Sequence, residues 1–313
     1  MFAYIIRRVL ATIPVMAVVA IFVFALLYLS PGDPAAIIAG DTATVEDIAR
    51  IRAALGLDQP IYMQFGIWLW HLLHGDLGIS IFTNLPVIRL IQQRLEPTVA
   101  LTLSTLIVSV LVAIPMGVLA AWKAGSWIDR GVMIFAVLGF SVPVFVLSYL
   151  LIYVFAIRFD WLPVQGYVSI SNGFWPFLSH IILPSIALGL IYAALIARIT
   201  RASMLDVLAQ DYIRTAQAKG LGSEQVLIGH ALKNAAVPIV TIIGIGIALL
   251  ISGVVVTETV FAIPGLGRLT VDAILRRDYP IIQGIILIFS AVYVVINLLV
   301  DLSYTLLDPR IRY

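Results

Sequence analysis

The sequence predicts an all-α membrane protein: six transmembrane helices, a small external helical segment and a helix-turn-helix on the cytoplasmic side. Three observations predict it. Of 313 residues, 62% are hydrophobic and 12% charged, whereas a soluble domain carries about 25% charged residues. The apolar residues gather into six runs without Asp, Glu, Lys, Arg or His: Val9–Leu29, Thr98–Trp122, Gly131–Ile157, Ile181–Ala197, Ala235–Thr257 and Pro280–Val300. A bilayer core needs about 20 such residues per helix, and backbone groups in lipid must be satisfied within the segment. Third, the basic residues segregate between alternate loops. One side holds Arg7, Arg8, Lys123, Arg130, Arg198, Arg201, Arg214, Lys219, Lys233, Arg310 and Arg312; the short loops opposite hold only Arg158, Arg268, Arg276 and Arg277. The richer side is expected in the cytoplasm, with both termini.

The first run follows Arg7 and Arg8. It is too long for a signal-peptide core and no A-x-A-like site follows, so it reads as an uncleaved span. The external segment, 31–97, opens on the turn Pro31-Gly32-Asp33-Pro34. Thr44 is read as the cap of a helix with Val45, Ile48, Ile51 and Leu55 on one face, stopped by Gly56. Asp58 is read as the cap of a second helix carrying Pro60 in its first turn. Its stripe is Ile61, Phe65, Trp68, Leu69 and Leu72, and Trp68 and Trp70 suit a membrane–water interface. On the cytoplasmic side, 198–234, a helix is predicted to start at Ser203-Met204-Leu205-Asp206 and stop at Gly220. Gly220-Leu221-Gly222-Ser223 forms a tight turn, and Ser223 caps another helix with Glu224 in its first turn. The chain is read as one domain over 1–313.

Several chemistries are missing. Ion-coupled carriers place Asp, Glu or His inside their spans. Here the strongest polar group within a run is Asn297, with Glu258 and Asp301 just beyond span ends. The chain lacks G-x-x-x-x-G-K-[ST], so ATP would have to bind another chain, docked on 198–234. Cysteine is absent, and no H-E-x-x-H, paired Asp in spans or Ser–His motif suggests an enzyme. The net charge of +2 gives no argument for nucleic acid.

Arg214-Thr215-Ala216-Gln217-Ala218-Lys219-Gly220 resembles the EAA loop of binding-protein-dependent ABC importer permeases. Ala216 and Gly220 fall on the family's Ala and Gly positions, while Arg214 replaces the Glu and the closing Pro comes later, at Pro238. The dipeptide/oligopeptide/nickel branch is suggested by Pro31-Gly32-Asp33-Pro34, by Gly75-Asp76-Leu77-Gly78 with Ser80, and by Glu258-Thr259-Val260-Phe261 followed by Pro264-Gly265-Leu266-Gly267. The resemblance implies a bacterial inner-membrane permease importing di- or oligopeptides or similar polar solutes. Its partners would be a homologous second permease, two ATPase subunits holding ATP and magnesium, a solute-binding protein and membrane lipid. Nickel or another solute is the alternative substrate, and a secondary transporter the alternative class. The coupling loop would use Asp211, Arg214, Ala216, Lys219, Gly220 and Gly222, with the chain itself no ATPase and without a cofactor.

Further residues carry two readings each. Pro115 and Pro143 lie in spans and are expected to kink them, as candidates for gating. Ser141, Ser148 and Thr257 could face a polar path or bond to backbone. Gly244, Gly246 and Gly253 read as sites of close helix packing. His71 and His74 share a helix face, but no further ligand makes a metal site of them. Arg276, Arg277, Asp278 and Asp272 read as a solvated outer loop.

Overall fold

The computed structural model describes residues 2–29, 35–36, 44–54 and 56–307. Among these, regular structure is helical apart from one isolated bridge between Ile79 and Pro86. In chain order the helices are α1 (Phe2–Leu29), α2 (Val45–Ala54), α3 (Ile61–Leu73), α4 (Val87–Trp122), α5 (Trp127–Ser141) and α6 (Val144–Leu151), the last continued by a π-helical stretch, Ile152–Arg158. Then come α7 (Phe174–Leu208), α8 (Asp211–Ala218), a second π-helical stretch (Gln225–Leu232), α9 (Ala236–Val260), α10 (Leu266–Arg276) and α11 (Tyr279–Leu307). The Pro31–Pro34 turn, Leu55, Arg310 and Arg312 lie outside the described residues.

Among the described residues, four stretches are long and apolar enough to cross a membrane: Ile6–Leu29, Val87–Trp122, Phe174–Leu208 and Tyr279–Tyr304. The count reaches six if two bent pairs are each one span: Trp127–Ser141 with Val144–Arg158, bent by 104°, and Gln225–Leu232 with Ala236–Leu250, bent by 69°. The third run of the sequence is therefore broken rather than kinked. Val142 sits at φ −92°, ψ 120°, because the proline ring disfavours the α region for the residue before it. Pro143, which has no N–H to give, becomes the first flank of α6. Pro115 produces no such break: α4 runs unbroken through Pro97 and Pro115, as α7 does through Pro184.

Other boundaries also shift. No helix starts at Ser203, because α7 continues from the fourth run to Leu208. Nothing between Arg198 and Leu208 is a Gly or Pro, and extending a formed helix adds a hydrogen bond per residue fixed. Asp58 lies in a turn and Pro60 flanks α3 without a side-chain cap. Ser223 is already helical, with Gly222 O accepting from Val226 N at 3.1 Å. Val45 and Ile61, the first residues of α2 and α3, are exposed.

The chain forms two compact units, one built on Glu96–Arg268 and the continuation of α11 from Val295, the other on Ile6–Leu95 and Leu269–Val294. In the first, α7 is the central helix, packing against α5, α6 and α9. One of its clusters is made largely of small residues, Ala113, Ala120, Ala193 and Ala197 with Val132 and Ile196, so helices approach closely, as packing in lipid favours. Gly253 admits Leu188 and Gly244 admits Val300, whereas Gly246 has only an ordinary contact with Tyr192. In the second unit, Phe24 of α1 meets the rings of Phe65 and Trp68 of α3 at centroid distances of 5.2 and 5.6 Å. Trp68 and Leu72 join Val19, Ala20, Val23, Ile286 and Leu287 in one cluster. Trp68 is thus half-buried against helices, and Trp70 is the exposed member of the pair.

Candidate functional site

The segment after α7 is a short helix that the chain's own core holds from one side. Ala209 and Gln210 are the only residues between α7 and α8, and Gln210 is extended at φ −74°, ψ 147°. Asp211 opens α8, where a negative charge favours the helix N-terminus. Ile213 is buried with Met204 of α7 and with Val226, Leu227 and Ala231 of the following stretch. The other end closes by a defined hydrogen-bond pair. Gly220 N donates to Gln217 O at 2.9 Å and Leu221 N donates to Ala216 O at 3.3 Å, with Gly220 at φ +84°. That is a Schellman motif, in which the residue after the cap takes the left-handed conformation and the next contacts the helix apolar side. Ala216 and Leu221, the motif's hydrophobic pair, both pack on the same cluster.

This geometry divides the predicted coupling residues. Ala216 is half-buried and turns inward, so its small size serves the chain's own packing. Asp211, Arg214, Lys219, Gly220 and Gly222 are exposed, together with Tyr212, Thr215 and Gln217. Arg214 lies 3.4 Å from Asp211 Oδ1 on the same surface. An added Cβ on Gly220 or Gly222 would meet nothing within 4 Å. The result is a rigid knob: an apolar underside bonded into the core, and a polar, cationic and aromatic upper face.

Residues 113–313 match the family described as binding-protein-dependent transport system inner membrane component, and residues 1–102 match the family's N-terminal membrane component. The chain belongs to this permease family. A probable peptide ABC transporter permease protein, y4tP, from Sinorhizobium fredii is 58% identical over 99% of both chains. The glutathione transport system permease protein GsiC of Salmonella typhi is 44% identical over the full length of both. Among solved structures, an inward-facing form of the MetNI methionine ABC transporter matches 71% of this chain and 97% of its own at a TM-score of 0.59. At 18% identity it shows a shared fold. These similarities place the permease in the peptide branch of the binding-protein-dependent ABC importers.

The candidate pathway residues of this permease are placed less alike than the sequence implied. Ser148 and Thr257 are fully buried, and each hydroxyl donates to the carbonyl four residues back, Val144 O at 2.8 Å and Gly253 O at 3.1 Å. Ser141 is exposed and does the same to Val137 O at 2.9 Å. All three hydroxyls thus bond to the backbone of their own helix. Pro115 and Pro143 are exposed, and of the two only Pro143 stands at a break. His71 pairs with Asp76 at 3.2 Å, while His74 Nδ1 lies 2.8 Å from Trp70 O.

Sequence reasoning missed the burial of two carboxylates that tie together two of the three branch motifs, Gly75–Ser80 and Glu258–Gly267. Glu258 lies inside α9 and is fully buried. Its Oε1 accepts from Thr98 Oγ1 at 2.6 Å and its Oε2 from Arg268 N at 3.0 Å, while Thr98 Oγ1 accepts from Leu266 N at 2.7 Å. The first amides of α10, which lack partners inside their helix, thus face a carboxylate and a hydroxyl. Gly265 and Gly267 are required there: a Cβ on Gly265 would overlap the Glu258 carboxylate, and one on Gly267 would lie 2.6 Å from Val255 Cα. Asp278 is the second. Rather than being solvated, it is 2% exposed and accepts from Ser80 Oγ at 2.6 Å and Ile81 N at 3.3 Å. Asp76 Oδ1 accepts from Gly78 N at 2.9 Å, which folds the Gly75–Gly78 turn back toward Ser80. The available signal was the pairing of an isolated acid with glycines or a serine at fixed spacing.

The stretch between α6 and α7 adds a surface cluster. Glu96 accepts from Tyr167 Oη at 3.0 Å and Ser169 Oγ at 2.5 Å. Burial, and then the Glu96 carboxylate, push the Tyr167 hydroxyl far above the usual tyrosine range, so it stays a donor.

Proposed function

We propose that this permease moves di- or oligopeptides into the cytoplasm as one half of a translocation pathway, with both its termini in the cytoplasm and its energy from ATPase subunits docked on α8. The observation that carries the reading is the knob itself. A helix clamped from below by Ile213, Ala216 and Leu221 and closed at Gly220 presents a stiff, charged surface at the end of a 35-residue helix. A force applied to such a knob passes into α7 rather than being lost in a flexible loop. Peptide cargo is supported by the names of relatives matched over their full length, a peptide permease and a glutathione permease among them. A second permease, two ATPase subunits and a solute-binding protein complete the assembly proposed.

The test is uptake of labelled di- and tripeptides into proteoliposomes holding this chain with its co-expressed partners. Uptake is expected to require ATP, loaded binding protein and the ATPase subunits, and to persist in a proton uncoupler while ATP is held constant. Uptake by this chain alone under a pH gradient would overturn the proposal in favour of a secondary transporter. Uptake of nickel with no effect on peptides would overturn the cargo.

A further inference from the structure

We propose that the Asp129–Arg201 ion pair is a positioning strut that transmits movement of α8 into the broken third span. The proposal rests on the reading of α8 as the ATPase-docking element. Arg201 Nε donates to Asp129 Oδ1 and Arg201 Nη2 to Oδ2, the latter at 2.7 Å. The Asp129 side chain is 6% exposed and that of Arg201 25%. Asp129 Oδ2 also accepts from Gly125 N at 2.9 Å, which ties in the turn before α5. A two-pronged guanidinium–carboxylate contact fixes angle as well as distance, which a lysine's point charge does not.

What each partner is attached to gives the pair its mechanical meaning. Arg201 is on α7, three residues before Met204, which is buried in one cluster with Ile213 of α8. The end of α7 therefore moves with α8. Asp129 is in the first turn of α5, which packs back along α7. Near the other end of α5, Gly139 allows such close approach that its added Cβ would lie 2.6 Å from Ala194 Cβ. Two residues later α5 ends, and the chain turns by 104° into α6. α5 is thus held to α7 at two points, a directional ion pair near its start and a close packing contact beside the bend. Displacement of the α7 end loads α5 along its length, and Val142-Pro143 is where the load becomes a change of angle.

The experiment uses the assembled importer in proteoliposomes with Asp129→Asn and, separately, Arg201→Lys. Both keep side-chain size but lose the two-pronged contact. The ATPase subunits are expected to stay bound, while peptide taken up per ATP hydrolysed falls about tenfold, which is about 1.4 kcal/mol and within the range of measured coupling effects. Loaded binding protein is also expected to stop accelerating hydrolysis. If the pair only held the fold together, fewer complexes would be recovered, but those recovered would keep wild-type uptake per ATP; that result overturns the strut. A parallel double variant, Arg214→Ala with Lys219→Ala, separates the two readings. If it releases the ATPase subunits while Asp129→Asn leaves uptake per ATP unchanged, the strut alone falls. If it leaves ATPase binding complete, the docking reading falls and the strut with it.

Discussion

Asp129 and Glu258 are both buried carboxylates in the unit built on Glu96–Arg268, and each accepts from a backbone amide, Gly125 N and Arg268 N, but Asp129 also holds a guanidinium where Glu258 holds a hydroxyl. The difference lies in what can move. Arg201 is a long side chain with a quarter of its surface open, and its head can reach water if the carboxylate is lost. The amides of Leu266 and Arg268 are fixed at the start of α10, and Thr98 is fixed in α4. An ion pair of the first kind can be strained and released during a cycle. A clasp of the second kind holds or breaks. The first joins α5 to the helix that leads into α8; the second joins α9 to α4 and α10 and encloses two glycines that leave no room for a methyl group.

The largest effect that would test this comparison is expected at Gly267. Gly267→Val would put a branched side chain against Val255 Cα and the Glu258 carboxylate. Forcing groups into a packed interior costs about 1–3 kcal/mol or more, and here the obstacles are backbone and a charge. The variant should be nearly absent from the membrane fraction on immunoblot. Normal abundance would mean that the clasp yields as readily as the strut.

The next effect is a difference between two variants. Glu258→Ala removes the acceptor of a backbone amide and a hydroxyl that are buried, and each such donor costs about 1–3 kcal/mol when its acceptor is lost. Asp129→Ala removes the acceptor of two donors that can turn to water, a cation that can snorkel and the amide of exposed Gly125. Glu258→Ala should therefore lower the thermal unfolding temperature of the purified complex more than Asp129→Ala does. Equal losses would show that Arg201 is as confined as the α10 amides, and that the distinction between strut and clasp is wrong.

These sites also show what the sequence could and could not reveal. Hydrophobic run length located the four stretches that, among the described residues, are long and apolar enough to cross a membrane, and both bent pairs, because lipid imposes the same demand wherever a run sits. It could not distinguish Pro143 from Pro115. Both lie in apolar runs, and the outcome depends on whether neighbouring helices hold the chain straight through the missing hydrogen bond. Gly220 was legible as a helix stop, since its positive φ is a local property. The inward turn of Ala216 was not, because the direction of a short helix is set by the residues it packs on: Met204, Val226 and Leu227 are separated from it in sequence. Glu258 and Asp278 were visible as charges near span ends, but their partners Thr98 and Ser80 lie 160 and 198 residues away. No local pattern carries such a pairing, although the glycines that make room for one of them stood in plain view.

The smallest structural effect is expected at Gly220, and for that reason it sharpens the contrast between residues that serve this chain and residues that serve a partner. Gly220 is at φ +84°, and an added Cβ meets nothing of the chain within 4 Å. Gly220→Ala therefore costs only the left-handed conformation, about 1–2 kcal/mol. Abundance and unfolding temperature of the purified chain should change little. Ala216→Trp is the opposite case, since it forces an indole into the cluster of Ile213 and Leu221 and should lower abundance before any partner is involved. If α8 is the docking knob, Gly220→Ala should still weaken co-purification of the ATPase subunits, because its new methyl group and stiffer turn face outward. Full co-purification and wild-type uptake in Gly220→Ala, with loss only in Ala216→Trp, would show that the pair of small residues serves the fold of the loop. The docking surface would then have to be sought on the exposed side chains Tyr212, Arg214 and Lys219.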